Sequence, residues 1–168
     1  MARESLSAEE IIGLLGGTAA RVDALIVDVG TDRLRSSRQD GGWSANEVLA
    51  HLRACADVWG GCIETILAEE SPTIRAVNPR QWIKKTDYPR LEFATSLEAF
   101  RMQRARLMTI LEGLGDDEWS RSATMTHSGA PIERTLQSFA DRMAVHERRH
   151  LKQIEQIVRS LRAERDGG

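Results

Sequence analysis

Between Leu136 and Leu161 the apolar residues recur at steps of three and four: Leu136, Phe139, Met143, Ile154, Ile157 and Leu161. Such spacing draws a single stripe down one side of an α-helix. A helix with one apolar stripe cannot stand alone and must bury that face against partners of the same kind. Two positions of the stripe are not apolar. His146 and His150 stand where buried residues are expected, one turn apart in "RMAVHERRHLKQI".

The rest of the chain supplies the partners. Ser7 with Glu10, and Ser44 with Glu47, have capping-box spacing. They open helices over "AEEIIGLLGGTAARVDALIVDV" and from "WSANEVLAHL" to about Glu69, the second with Trp43 and Val48 spaced as a hydrophobic staple. Gly16-Gly17 predicts a bend in the first helix or a close neighbour beside it. A third helix is expected from Thr95 to Leu114 and a fourth from about Arg134 to Ala163. The polar "GTDRLRSSRQDGG" reads as a connector. "DDEWS" suits a short helical turn, and "RSATMTHSGAPIE" a loop able to hold a small hairpin. The stretch 71–94, with Pro72, Pro79 and Pro89, reads as a long ordered crossover of a length that is often functional. The expectation is an all-α four-helix bundle forming one domain over residues 1–168, its tail fraying from about 164 to 168.

Bulk properties narrow the function classes. The 168 residues carry a net charge of −2, with arginines interleaved among acids, so there is no basic footprint for nucleic acid. No apolar run is long enough for a membrane span, and the start "MARESLSAEEIIGLLGG" lacks the pattern of a signal peptide. Cys55 and Cys62 lie two helical turns apart, roughly 10 Å along the axis, too far for a disulfide. A cytoplasmic protein acting on a small molecule is expected, with a homodimer through exposed helix faces as a further expectation.

The chemistry concentrates on histidine. Imidazoles at i and i+4 share a face and can chelate one ion. On the second helix the stripe Val48, Cys55, Cys62, Ile66 places His51 at its border, directed at the bundle interior or the mouth of a cleft. Three imidazoles from two helices leave positions open for water or substrate, as catalytic metal sites do. His127, in a loop, is read as a surface histidine. The bare H-E-x-x-H spacing suggests a zinc peptidase, yet only eighteen residues follow His150 and none offers a third ligand on another element. Cys55 has two readings, soft ligand or buried thiol, and the second is preferred. On the third helix Arg104 interrupts an apolar stripe. It requires a buried carboxylate, Glu47 or Glu147, or else grips an anionic substrate. Gln153 follows His146 by seven residues and is a candidate to bind a ligand. Trp82 and Tyr88 either roof a cleft, with Arg80 and Lys84 as anion contacts, or pin the crossover to the bundle.

With "WSANEVLAHL" in the second helix and "HERRHLKQI" in the last, the chain resembles the DinB/YfiT-like family of metal-binding four-helix bundles. The resemblance implies a divalent metal, usually zinc or nickel, on His51, His146 and His150. It also implies either of two chemistries: transferases using bacillithiol, mycothiol or glutathione, or hydrolases of small amide-type bonds. A metal-dependent transfer of a low-molecular-weight thiol to an electrophile is the leading expectation. Hydrolysis with Glu147 as base, and a non-catalytic metal-stabilised stress-response bundle, are the alternatives. Candidate residues beyond the ligands are Glu147 and Gln153 for catalysis and Arg104 and Trp82 for binding.

Overall fold

The computed structural model describes residues 4–36 and 41–166, the side chain of Asp166 excepted. Four long helices, α1 (Ala8–Ile26), α3 (Ala45–Ala68), α5 (Phe93–Glu112) and α7 (Leu136–Asp166), form the body. Helix α7 packs on α1 and α3, and α5 closes the other side against the same two helices. Both capping boxes form. Ser7 and Ser44 accept from the backbone N–H of Glu10 and Glu47, whose carboxylates accept from the serine N–H groups in return.

Short elements decorate the ends. They are α2 (Thr31–Arg35), α4 (Pro79–Trp82), α6 (Asp116–Trp119) and strands β1 (Thr73–Arg75), β2 (Ser122–Thr126) and β3 (Ile132–Thr135). Strand β2 pairs antiparallel with β3 as a hairpin and parallel with β1, which the crossover contributes.

Several boundaries depart from the sequence expectation. The connector after α1 holds α2, whose Leu34 is fully buried, so one apolar residue organises a polar stretch. Helix α5 starts at Phe93 rather than Thr95; Phe93 is fully buried, and Glu92 precedes it without a side-chain cap. Arg134 lies in β3, and α7 begins at Leu136. Residues 164–166, expected to fray, continue the helix, where Glu164 pairs with Arg33 and Arg165 with Asp28; Gly167 and Gly168 lie outside the described residues. Helix α1 runs unbroken through Gly16-Gly17, and a Cβ on Gly16 would stand 3.5 Å from the Met108 methyl. The close neighbour, not the bend, is what that glycine accommodates.

The core falls into two apolar clusters. One contains Leu15, Cys55, Leu107 and Met143; the other Val22, Leu52, Phe100 and Leu151. On α1, α5 and α7 the polar member lies between them in sequence, as Thr18, Arg104, and His146 with Glu147, and on α3 His51 adjoins Leu52 one turn before Cys55. A polar slice thus crosses the bundle at one level. Its groups require partners, because unpaired burial costs on the order of 1–3 kcal/mol each.

Candidate metal centre

The slice has two halves. In the first, Arg104 and Glu147 form an ion pair with both side chains 3% exposed, and the Thr18 hydroxyl donates to the other carboxylate oxygen at 2.8 Å. Arg104 also donates to Met143 Sδ at 3.2 Å. Three helices are tied together through one carboxylate. Burial raises the Glu147 pKa, opposed by the Arg104 charge and by the two hydrogen bonds. Of the two partners open to Arg104, the structure selects Glu147. Both oxygens of Glu147 are engaged.

The second half is the histidines. His146 Nε2 lies 3.2 Å from His51 Nε2 and 3.2 Å from His150 Nε2. A ring nitrogen carries one hydrogen or one lone pair. It can complete one N–H···N bond, so the second approach would set like against like. Nitrogens sharing a tetrahedral ion at bond lengths of about 2.0–2.1 Å lie about 3.3 Å apart. The His51–His146 and His146–His150 separations therefore match nitrogens that share one divalent cation.

Two further observations agree with that fit. Gln153 Oε1 lies 2.7 Å from His150 Nδ1. An N–H at Nδ1 donating to the amide oxygen leaves the lone pair on Nε2, the tautomer a metal ligand needs. The surroundings also lower the pKa of all three imidazoles. Burial, with the neighbouring His150 and Arg80 charges, pushes His51 down to about 4. Burial, His150, His51 and two arginines push His146 down to about 3. Burial lowers His150 too, against the opposing bond to Gln153.

Cys55, rather than His150, completes the set of donor atoms that lie mutually close. Its Sγ is 3.6 Å from His51 Nε2, and the donor atoms of His51, Cys55 and His146 all lie within 4.8 Å of one another. Burial and the Glu147 charge push the thiol up to about 12, so it stands beside the imidazoles as a neutral group.

The remaining sequence candidates lie elsewhere. His127 is exposed, and its Nδ1 accepts from the Gly129 N–H at 2.9 Å. Trp82 Nε1 and the Tyr88 hydroxyl donate to Asp57 Oδ2 at 3.0 and 2.7 Å, and the Tyr88 ring lies 3.7 Å from the Arg53 guanidinium carbon. Those bonds pin the crossover to α3. What sequence reasoning missed is Trp43. Beyond its staple position it lies edge-on to His51 at 5.2 Å and stacks near His150 at 6.3 Å. Trp43 lies outside the helix, one residue before the Ser44 cap, so no helical spacing relates it to His51.

The DinB superfamily model matches residues 14–154 of this chain. The chain belongs to the DinB superfamily. This DinB chain is 24% identical over 162 residues to YfiT of Bacillus subtilis, named a "putative metal-dependent hydrolase", covering 95% of the chain and 90% of that protein. A Geobacillus kaustophilus protein of the same description, GK0616, is 23% identical over 157 residues, covering 90% and 84%. The solved YfiT structure, described as an unusual four-helix bundle topology, overlays with a TM-score of 0.78 at 22% identity, covering 96% of this chain and 93% of YfiT. A mycothiol-dependent maleylpyruvate isomerase overlays at 0.65 and 16% identity, covering 87% of this chain and 60% of the isomerase. These overlays show the shared bundle fold.

Proposed function

We propose that this chain is an enzyme that binds one divalent ion, zinc or nickel, through His51, His146 and His150, and directs a low-molecular-weight thiol at a small electrophile. The observation that carries the proposal is the approach of His51 Nε2 and His150 Nε2 to His146 Nε2, each at 3.2 Å, beside a carboxylate already fully committed. A divalent ion held there supplies Lewis acidity, lowering the pKa of a coordinated thiol so that thiolate is available at neutral pH.

The chain's own residues prepare the site. Gln153 fixes the His150 tautomer. Trp43 and Trp59 wall the imidazoles, Trp59 meeting His146 edge-on at 5.0 Å. Glu147 anchors α7 through Arg104 and Thr18 rather than facing a reacting group. A reaction needing no base at position 147 suits that arrangement, and thiolate attack is one.

Hydrolysis is the second reading, supported by the names of YfiT and GK0616. It would need a base other than Glu147. The test measures metal content of the wild type beside His51→Ala, with two assays: conjugation of bacillithiol, mycothiol or glutathione to a chloroarene, and cleavage of small amides. Metal-dependent conjugation lost in His51→Ala supports the proposal. Amide cleavage without conjugation selects the second reading, and equal metal in both proteins overturns the three-histidine site.

A further inference from the structure

The two aromatic rings that wall the imidazoles each carry a guanidinium. Arg80 Cζ stands 5.5 Å over the Trp43 ring, and Arg142 Cζ stands 5.2 Å over the Trp59 ring. Trp43 touches His51 and His150, while Trp59 touches His146, so the two cations approach the cluster along two different walls. Both arginines are exposed. Neither closes on a carboxylate among the described residues, whereas Arg33, Arg35, Arg101 and Arg162 all do.

An unpaired surface arginine is ordinarily a mobile, solvated group. A guanidinium resting on an aromatic face within about 6 Å is held in place by attraction to the ring. Its fork is then oriented before any ligand arrives, so less side-chain freedom is lost on binding. One of the two comes from α4 in the crossover and the other from α7, one turn before His146. Residues that close on no carboxylate among the described residues, aimed by rings that themselves contact the imidazoles, form an outer cationic rim around the inner cluster.

The geometry points to an anion clamp: Arg80 and Arg142 bind a carboxylate on a small substrate whose reacting end enters among His51, His146 and His150. The clamp rests on the metal-centre reading of those histidines. It gives the crossover a part in substrate selection through Arg80 rather than through Trp82, which is committed to Asp57. A guanidinium fork matches a carboxylate with two parallel hydrogen bonds, and two forks favour an anion over a neutral molecule of the same size.

The test uses the full chain loaded with cobalt(II), whose visible absorption reports a thiol entering the cluster. Mercaptoacetate is titrated against 2-mercaptoethanol, which lacks the carboxylate. The wild type is expected to bind mercaptoacetate roughly tenfold more tightly at low ionic strength, the gain of two partly exposed ion pairs, and the preference shrinks as salt is added. Arg80→Gln and Arg142→Gln each reduce the preference by about threefold, and the double variant abolishes it. Cobalt stoichiometry and 2-mercaptoethanol affinity stay unchanged throughout, which also reports that the variants fold. Equal affinity for both thiols in the wild type, a preference that survives in the double variant, or loaded cobalt that responds to neither thiol overturns the clamp. Failure to load cobalt overturns the metal centre and the clamp with it, so stoichiometry tells the two failures apart.

Discussion

Replacing Glu147 with glutamine separates a structural carboxylate from a catalytic one. The substitution keeps the shape, and the amide can meet both neighbours: its oxygen accepts from Arg104, and its NH2 donates to Thr18, whose hydroxyl then turns to the Leu14 carbonyl 3.2 Å away. What disappears is one negative charge beside a guanidinium only 3% exposed. Removing one member of a buried pair leaves an uncompensated charge and costs about 3–5 kcal/mol. Because the glutamine retains its hydrogen bonds, the low end applies, about 3 kcal/mol. In a chain of this size that lowers Tm by about 10 °C. Removing both charges, as in Arg104→Met with Glu147→Leu, returns stability to within about 1 kcal/mol of the wild type. Urea denaturation of the two singles and the double gives the coupling energy directly. A Glu147→Gln protein as stable as the wild type but devoid of turnover would refute the reasoning and make Glu147 a base.

Three further outcomes follow from the same slice and its surroundings. Gln153→Leu removes the hydrogen bond that fixes the His150 tautomer and should weaken metal affinity about 10–100-fold, read by competition with a chelator; unchanged affinity would deny Gln153 that role. In metal-free protein the folded His51 and His146 stay neutral down to about 4 and about 3, while the unfolded chain takes up protons near 6.5. The unfolded state therefore binds more protons between those limits, so stability is full above pH 7 and falls as pH drops from about 6.5 toward 4. Urea midpoints across that range should show the slope, and His146→Asn should flatten it. Asp57→Leu removes the acceptor for Trp82 and Tyr88, and trypsin should then cut faster at Arg80, Lys84 or Lys85; an unchanged rate would mean other contacts hold the crossover.

The bundle was legible because its signals are local. The Ser7–Glu10 and Ser44–Glu47 boxes are set by residues three apart, and each stripe of α3 and α7 by spacing within one helix. His51, His146 and His150 stood out by the same rule, since polar residues on apolar stripes are visible without knowing what faces them, and the structure brings His51 and His150 each to 3.2 Å from His146. Whatever depends on two distant segments meeting was harder to see. Arg104 announced that it needed a carboxylate, but choosing Glu147 over Glu47 required knowing how α5 rotates against α7. Strand β1 has only three residues and exists because β2 lies beside it. Leu34 makes α2 a helix through burial, which no turn-forming composition reveals. Arg142 lies one turn from His146 in sequence, yet its orientation depends on Trp59 across the interface with α3.

X-ray absorption at the metal edge of the zinc-loaded protein addresses the meeting of three imidazoles from two helices most directly. The expected spectrum has a nitrogen shell at about 2.0–2.1 Å, with the multiple-scattering pattern of three histidines and no sulfur. A sulfur neighbour at about 2.3 Å would put Cys55 in the place given to His150. A shell without histidine scattering would contradict the centre altogether.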